Sequence, residues 1–201
     1  MIFSSPLFLF AFLPIVIIAY YLLPPWAKNT FLLAASLVFY AWGEPFYVVL
    51  LVASIIGNYV FGLSLSQVQT PSGRQGVVLL AVAANIIFLA YFKYFNFALE
   101  NLFFGKPTTV ALADYSPDHL PLGISFFTFQ QIAYLVDSYQ HQTKEYDFLN
   151  YCLFVTFFPQ LIAGPIVHHR EMMPQFQNLR SNKNLWPDLA VGLSIMAIGL
   201  F

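Results

Sequence analysis

Four polar residues lie at helical spacing in the otherwise apolar stretch LPLGISFFTFQQIAYLVDSYQHQ. They are Gln130, Tyr134, Asp137 and His141. At about 100° per residue, their side chains fall within an arc of about 60° on one helix face. Ionisable groups inside a membrane segment cost roughly 2.5–3.5 kcal/mol, so such a stripe faces a protein interior or a wet cavity. Two interpretations stay open: a substrate-lining face, or structural hydrogen bonds to neighbouring helices.

A second polar cluster follows a proline-rich helix break in FFPQLIAGPIVHHREMMPQF. It contains His168, His169, Arg170 and Glu171. His168 and Glu171 are three residues apart and share one helix face, which suits a metal or a proton relay. Adjacent histidines cannot both face one ion, and no further ligands follow nearby, so we expect no metal site. The cluster is then either a solvated helix end at an interface or a polar site behind a re-entrant segment.

The remaining polar residues of apolar stretches have structural explanations. Asn85 and Asn96 fall about 20° apart on one helix, which predicts helix-packing hydrogen bonds. His119 lies in an acidic loop and is expected to be solvated, and Cys152 is expected to be an inert buried thiol. The sequence contains no Gly-rich phosphate loop, G-x-S-x-G or H-E-x-x-H motif.

The composition places these residues in a membrane protein. Of the 201 residues, 59% are hydrophobic and only 8% are charged. Soluble domains carry about 25% charged residues, so a soluble fold of this size would leave too much apolar surface in water. The net charge of -1 and the absence of a basic patch exclude nucleic acid as a partner.

Hydropathy therefore predicts an all-α, polytopic transmembrane protein with about six to seven membrane segments. The N-terminal segment lacks the basic start and cleavage site of a signal peptide, so we interpret it as a retained helix that bends at Pro14. Polar loops are expected at 67–76, 100–120, 139–147 and 168–187. The predicted segments are 7–23, 30–42, 46–66, 77–99, 121–138, 148–167 and 188–201.

Two of these segments depart from simple spans. Segment 30–42 is short, and YAWGEPFY after it reads as a tight turn, so 30–42 and 46–66 are interpreted as a re-entrant or tilted pair. Lys28 and Arg74 favour cytoplasmic loops, and continuing the count then places the basic 168–187 loop outside. Either one segment does not cross the membrane, or 148–167 contains a broken, re-entrant element, and we favour the second interpretation. The residues expected to frame the break are Pro159, Gln160, Gly164 and Pro165.

The last predicted segment, 188–201, has residues typical of a helix N-terminus but few apolar residues after them. Pro187 and Asp188 suit the first turn of a helix, and about 13 apolar residues then lead to Phe201. A helix that ends inside a bilayer leaves carbonyl groups without partners. We therefore expect residues 1–201 to form one domain that is truncated at its C-terminal end.

Several motifs together resemble a known family. They are MIFSSPLFLFAFLPIVIIAYYLLP, ASLVFYAWGEP, LPLGISFFTFQQIAYLVDSY and FLNYCLFVTFFPQLIAGPIVHHREMMPQF. In order and spacing they resemble the N-terminal portion of the membrane-bound O-acyltransferase (MBOAT) family, in its alginate O-acetyltransferase-like branch. The doubled histidine departs from the family pattern, which has a more basic residue near His168.

The resemblance implies an enzyme of the bacterial inner membrane that transfers an acetyl group to hydroxyls of an extracytoplasmic polysaccharide such as alginate. It implies an acyl thioester donor, either acetyl-CoA or a carrier-linked acyl group, and no bound cofactor or metal. Membrane lipid and accessory periplasmic or membrane acetylation proteins are the implied partners. The family's essential histidine lies beyond Phe201, so no catalytic role falls on His119, His141, His168 or His169. A non-catalytic scaffold fragment or a transporter are the alternatives.

Overall fold

A computed structural model describes residues 5–103, 120–141, 147–162, 164, 167, 169–177 and 185–200, and these residues form helices and no β-strand. A π-helical turn, Phe8–Phe12, runs directly into the first α-helix. The α-helices in chain order are α1 Leu13–Leu22, α2 Pro25–Gly43, α3 Tyr47–Gln67, α4 Pro71–Phe103, α5 Ile124–Tyr139, α6 Phe148–Thr156, α7 Phe158–Leu161, α8 His169–Gln177 and α9 Leu185–Leu200.

The first predicted segment, 7–23, is helical, but its backbone hydrogen bonds depart from the α-helical pattern just before Pro14. Proline has no N–H to continue the i→i−4 ladder. The backbone N–H of Leu13 bonds to the carbonyl of Phe8, five residues back, so a π-helical turn widens the ladder immediately before Pro14. The structure thus shows a π-helical turn before Pro14, while the bend at Pro14 stays a prediction.

The predicted 30–42 segment was too short. Helix α2 starts at Pro25, which suits the first turn because a proline N–H is not needed there. Lys28 lies inside this helix and is buried rather than in a loop, since its ammonium group lies over the Tyr20 ring at 4.8 Å. The predicted tight turn is confirmed at Glu44–Phe46, between α2 and α3.

Two helices are long and apolar enough to cross a membrane, among the residues described. These are Tyr47–Gln67 and Pro71–Phe95, the latter within α4, each with a mean hydropathy of 2.1. The first is a full-length helix of 21 residues. The predicted 67–76 loop was wrong over residues 71–76, because α4 begins at Pro71. The side chain of Arg74 in its first turn is held by backbone carbonyls instead of water.

The predicted 148–167 segment is broken, as expected. Helix α6 ends at Thr156, and the short α7 follows after Phe157. The predicted 168–187 loop was wrong in part, because residues 169–177 form α8. The side chains of Met172 and Phe176 on this helix are buried. Residues 104–119, 142–146 and 178–184 lie outside the described part of the chain, so the predictions for His119 and for most of these loops are untested.

The core forms where α5 packs against α3 and α4, and where α2 packs against α6 and α7. A separate aromatic cluster joins the N-terminal helix to α2 and α7. It contains Phe8, Phe12, Phe39 and Phe158, with ring centroids 5.4–6.2 Å apart. Helix α9 presents large exposed side chains such as Trp186 and Ile198.

Candidate functional site

The break between α6 and α7 occurs at Phe157, and we call this residue with its flanking turns the helix break. Phe157 has φ -51° and ψ 108°, which is outside the helical region. Pro159 lies in the first turn of α7, where its missing N–H costs no hydrogen bond. The sequence pattern located the break correctly to within two residues of Pro159.

Side chains from two other helices satisfy the backbone groups that the break separates. In an unbroken helix the N–H of Phe158 would bond to the carbonyl of Phe154. Here the Phe158 N–H donates to Ser36 Oγ of α2 at 3.2 Å. The Phe154 carbonyl accepts from Gln130 Nε2 of α5 at 2.9 Å. Because buried backbone groups need partners, these two side chains stabilise the break.

Glycine is required at two positions close to α7, one directly before α5 and one after α7 itself. Gly123, directly before α5, has φ +72°, and a Cβ there would lie 2.7 Å from the Leu161 carbonyl oxygen. A Cβ on Gly164 would lie 2.6 Å from the Cα of Gln160. The backbones of the LPLG and FPQLIAG motifs therefore touch, which joins α5 to α7.

Three of the four residues predicted on the polar stripe are buried on α5. Gln130, Tyr134 and Asp137 are 3%, 2% and 5% exposed. Gln130 makes the structural hydrogen bond described above. Tyr134 packs on α3, where its Oη would be 2.7 Å from a Cβ at Gly62.

His141 does not belong to this buried stripe. Helix α5 ends at Tyr139, so the helical arithmetic does not extend to His141. The residue is exposed and adopts a left-handed φ of 59° just past the helix end. The prediction that it shares the buried face was wrong.

The second polar cluster divides between the interior and the surface. His169 is 2% exposed, and its ring lies 5.1 Å from those of Tyr134 and Phe154. His169 therefore lies in the interior and not at a solvated helix end. Arg170 and Glu171 are exposed, as expected of a solvated helix end. His168 lies outside the described residues, as does Pro165 of the predicted framework.

Gln160, one of the residues expected to frame the break, has a buried polar side chain. It is 8% exposed, and among the residues that the structure describes its Nε2 has no hydrogen-bond partner. Pro159 beside it is exposed. Among the described residues, no group of three or more His, Cys, Asp or Glu could hold a metal ion. The site offers buried amide and aromatic groups around a helix break.

Paired asparagines tie α3 to α4. Asn58 Nδ2 donates to Asn85 Oδ1 at 3.1 Å, and Asn85 Nδ2 donates to Asn58 Oδ1 at 2.6 Å. The predicted helix-packing role of Asn85 is confirmed, whereas the side chain of Asn96 lies outside the described set. Sequence reasoning missed Asn58, although its place in a long apolar helix was a usable signal.

Arg74 is a further residue whose role the sequence analysis missed. Its guanidinium donates to the carbonyl of Leu65, near the end of α3, and to those of Ser138 and Tyr139, at the end of α5. The last carbonyls of a helix have no helical partner. One buried side chain thus caps two helices, a role that loop charge alone does not reveal.

Comparisons with known proteins agree with this arrangement of motifs. The profile of MBOAT, the membrane-bound O-acyltransferase family, matches residues 36–201. A peptidoglycan O-acetyltransferase of Helicobacter pylori is 40% identical, with 100% of this chain and 43% of the relative covered. Probable alginate O-acetylases AlgI of Pseudomonas syringae and Azotobacter vinelandii are 37% and 38% identical, over 89% of this chain and 35% and 36% of the relatives. No solved structure matches the chain.

The chain thus spans less than half the length of these curated relatives. The profile match covers α3 to α9, the C-terminal part of α2 and the whole helix break. The resemblance indicated by the sequence motifs is confirmed. The chain belongs to the membrane-bound O-acyltransferase family.

Proposed function

We propose that the whole protein is a membrane O-acetyltransferase that transfers an acetyl group to hydroxyls of an extracytoplasmic polysaccharide. The observation that carries this proposal is the family match over residues 36–201, together with relatives named for O-acetylation of peptidoglycan and alginate. The donor is an acyl thioester, either acetyl-CoA or a carrier-linked acyl group. The enzyme holds no resident cofactor.

Peptidoglycan and alginate are the two candidate acceptors. The peptidoglycan relative aligns with all of the chain, whereas the alginate relatives align with 89% of it. This difference favours peptidoglycan as the first polymer to test. In both acceptors the nucleophile is a sugar hydroxyl, so the same general-base chemistry applies.

The architecture that we propose for the protein goes beyond the helices that the structure describes. We propose a single domain with about six to seven membrane segments in a bacterial inner membrane, with the helix break in a re-entrant element. Accessory acetylation proteins act with it outside the cytoplasm. The essential histidine of the family lies beyond Phe201, and residues 1–201 hold the framework around it.

Within that framework the α5 face has two roles. Gln130 holds the helix break through Phe154. We propose that Tyr134 and Asp137 contribute to a substrate-lining wall in the whole protein. The burial of a carboxyl group in an apolar helix bundle supports this, because such residues line the interior of membrane proteins where they serve a function.

The test is a deletion strain complemented with the whole gene. Ester-linked acetate is released by mild base from purified peptidoglycan and from secreted polysaccharide, and is then quantified. We expect acetate to fall in one polymer in the deletion strain and to return on complementation. Unchanged acetate in both polymers would support a non-catalytic scaffold or a transporter instead.

A further inference from the structure

An apolar cavity of about 370 Å³ lies beside the helix break, between α1, α2, α8 and the start of α9. Side chains of α1 form one wall and those of the break form another. Cavities of roughly 300–1,000 Å³ with mostly apolar walls are typical ligand sites. Its lining residues include Leu13, Val16, Ile17, Leu32, Phe157 and Phe158.

A buried cation lies next to two of the residues that line this cavity. Tyr20 and Tyr21 line the cavity, and Lys28 Nζ lies 4.8 Å and 5.7 Å from their ring centroids. Lys28 is only 4% exposed. Within the described part of the chain, no carboxylate forms an ion pair with it. A buried ammonium group without a counter-ion is costly, so an anion at this end would stabilise it.

The two ends of the cavity differ in polarity, as the two ends of an amphiphilic molecule do. Leu13 and Tyr20 are seven positions apart on α1, which corresponds to roughly 10 Å along the helix axis. The wall is therefore apolar at one end and carries two tyrosines at the other, and the ammonium group of Lys28 lies next to the rings of these tyrosines. Trp26, near Lys28 on α2, is 83% exposed, and exposed tryptophan is typical of a membrane–water interface.

We propose that this cavity binds an acidic phospholipid of the surrounding bilayer. One acyl chain lies along α1, and the phosphate pairs with Lys28. The lysine and the aromatic rings supply the contacts that anionic headgroups take near a membrane surface. This site is separate from acyl transfer, so its existence does not depend on the proposed function.

The test uses the purified whole protein in detergent and measures lipid binding by native mass spectrometry and by thermal shift. The lipids are dioleoyl phosphatidylglycerol, dioleoyl phosphatidylcholine and, as a headgroup alone, glycerol phosphate. We expect phosphatidylglycerol to bind and stabilise the protein more than the other two. Lys28→Gln should weaken phosphatidylglycerol binding about fivefold, while Lys28→Arg retains it.

Two further variants separate lipid binding from misfolding. Lys93→Gln removes an exposed lysine that lies over Tyr94 at 5.6 Å, and we expect it to bind phosphatidylglycerol as the wild type does. Ile17→Trp fills the cavity and should abolish the preference. Equal binding of both phospholipids, or an undiminished preference in Lys28→Gln, would overturn the proposal. So would the absence of any lipid effect, which would indicate that another part of the whole protein fills the cavity.

Discussion

The side-chain amide of Gln130 donates a 2.9 Å hydrogen bond to the backbone carbonyl of Phe154, across the packing of α5 against α6. That carbonyl has lost its helical partner because the N–H of Phe158 turns to Ser36 instead. A polar side chain on one helix thus compensates for a break in another. The break is therefore stabilised by side chains of other helices and is not a local defect.

Gln130→Ala should therefore destabilise the whole protein. It leaves the buried Phe154 carbonyl without a donor, which costs about 1–3 kcal/mol. We expect a lower melting temperature in detergent and reduced polysaccharide acetylation. Gln75→Ala, at an exposed position of α4, is the matched control and should leave both unchanged. Wild-type melting and acetylation in Gln130→Ala would show that the bond is dispensable.

Gly123→Ala should reduce the folded yield. A left-handed φ costs an L-residue about 1–2 kcal/mol, and the new Cβ would meet the Leu161 carbonyl at 2.7 Å. Gly57→Ala is the control, because a Cβ there meets nothing within 4 Å. In the helix interior it should be neutral or stabilise by about 0.5–1 kcal/mol. Equal membrane yields of the two variants would contradict the close approach of α5 and α7.

Asn58 and Asn85 should show coupled energetics in a double-mutant cycle. Each single change to Ala leaves the other amide with fewer partners, so the two losses should not add. Interhelical hydrogen bonds in membrane proteins average about 0.6 kcal/mol of coupling. The free energy of unfolding of the wild type, both single variants and the double variant gives this value. Strictly additive losses would mean that the pair does not join α3 to α4.

Arg74→Lys should destabilise the protein although it keeps the charge. The guanidinium reaches carbonyls at the ends of α3 and α5 together, and a single ammonium group cannot reproduce that planar arrangement. Hydrogen bonds to charged groups contribute about 1.5–3 kcal/mol each. Arg170→Lys, on the exposed face of α8, should lower the melting temperature much less in the same thermal unfolding assay. If the two substitutions are equally tolerated, Arg74 does not cap these helices.

Asp137→Ala should lower acetyl transfer while the protein still accumulates in the membrane. The carboxyl group is 5% exposed on the polar face of α5, where a lining role is proposed. Asp188→Ala, exposed in the first turn of α9, serves as the control. Acetylation and membrane content are measured in the same cells. Full acetylation by Asp137→Ala would refute the lining role.

Hydrophobic length and proline positions were enough to predict one long helix and the break. The helix that contains Asn85 and the discontinuity before Pro159 both follow from such local patterns. The positions of the helix ends could not be predicted from local patterns, because contacts with residues far away in the sequence determine them. Lys28 and Arg74 look like loop charges in the sequence, yet aromatic rings and backbone carbonyls draw both into the interior.

The polar stripe illustrates the same limit within the candidate site. Helical periodicity correctly placed Gln130 and Asp137 on a buried face. It failed at His141, because the end of α5 is not encoded in that periodicity. The pairing of Gln130 with Phe154 could not be foreseen, since it depends on two segments that meet only in the folded protein.

Acetyl transfer by isolated membranes tests the central claim most directly. Membranes from the deletion strain, with or without the whole protein restored, are supplied with labelled acetyl-CoA, the accessory proteins and purified de-O-acetylated peptidoglycan or alginate. The proposed function predicts alkali-labile label in one polymer only when the protein is present. Equal label with and without the protein would contradict it.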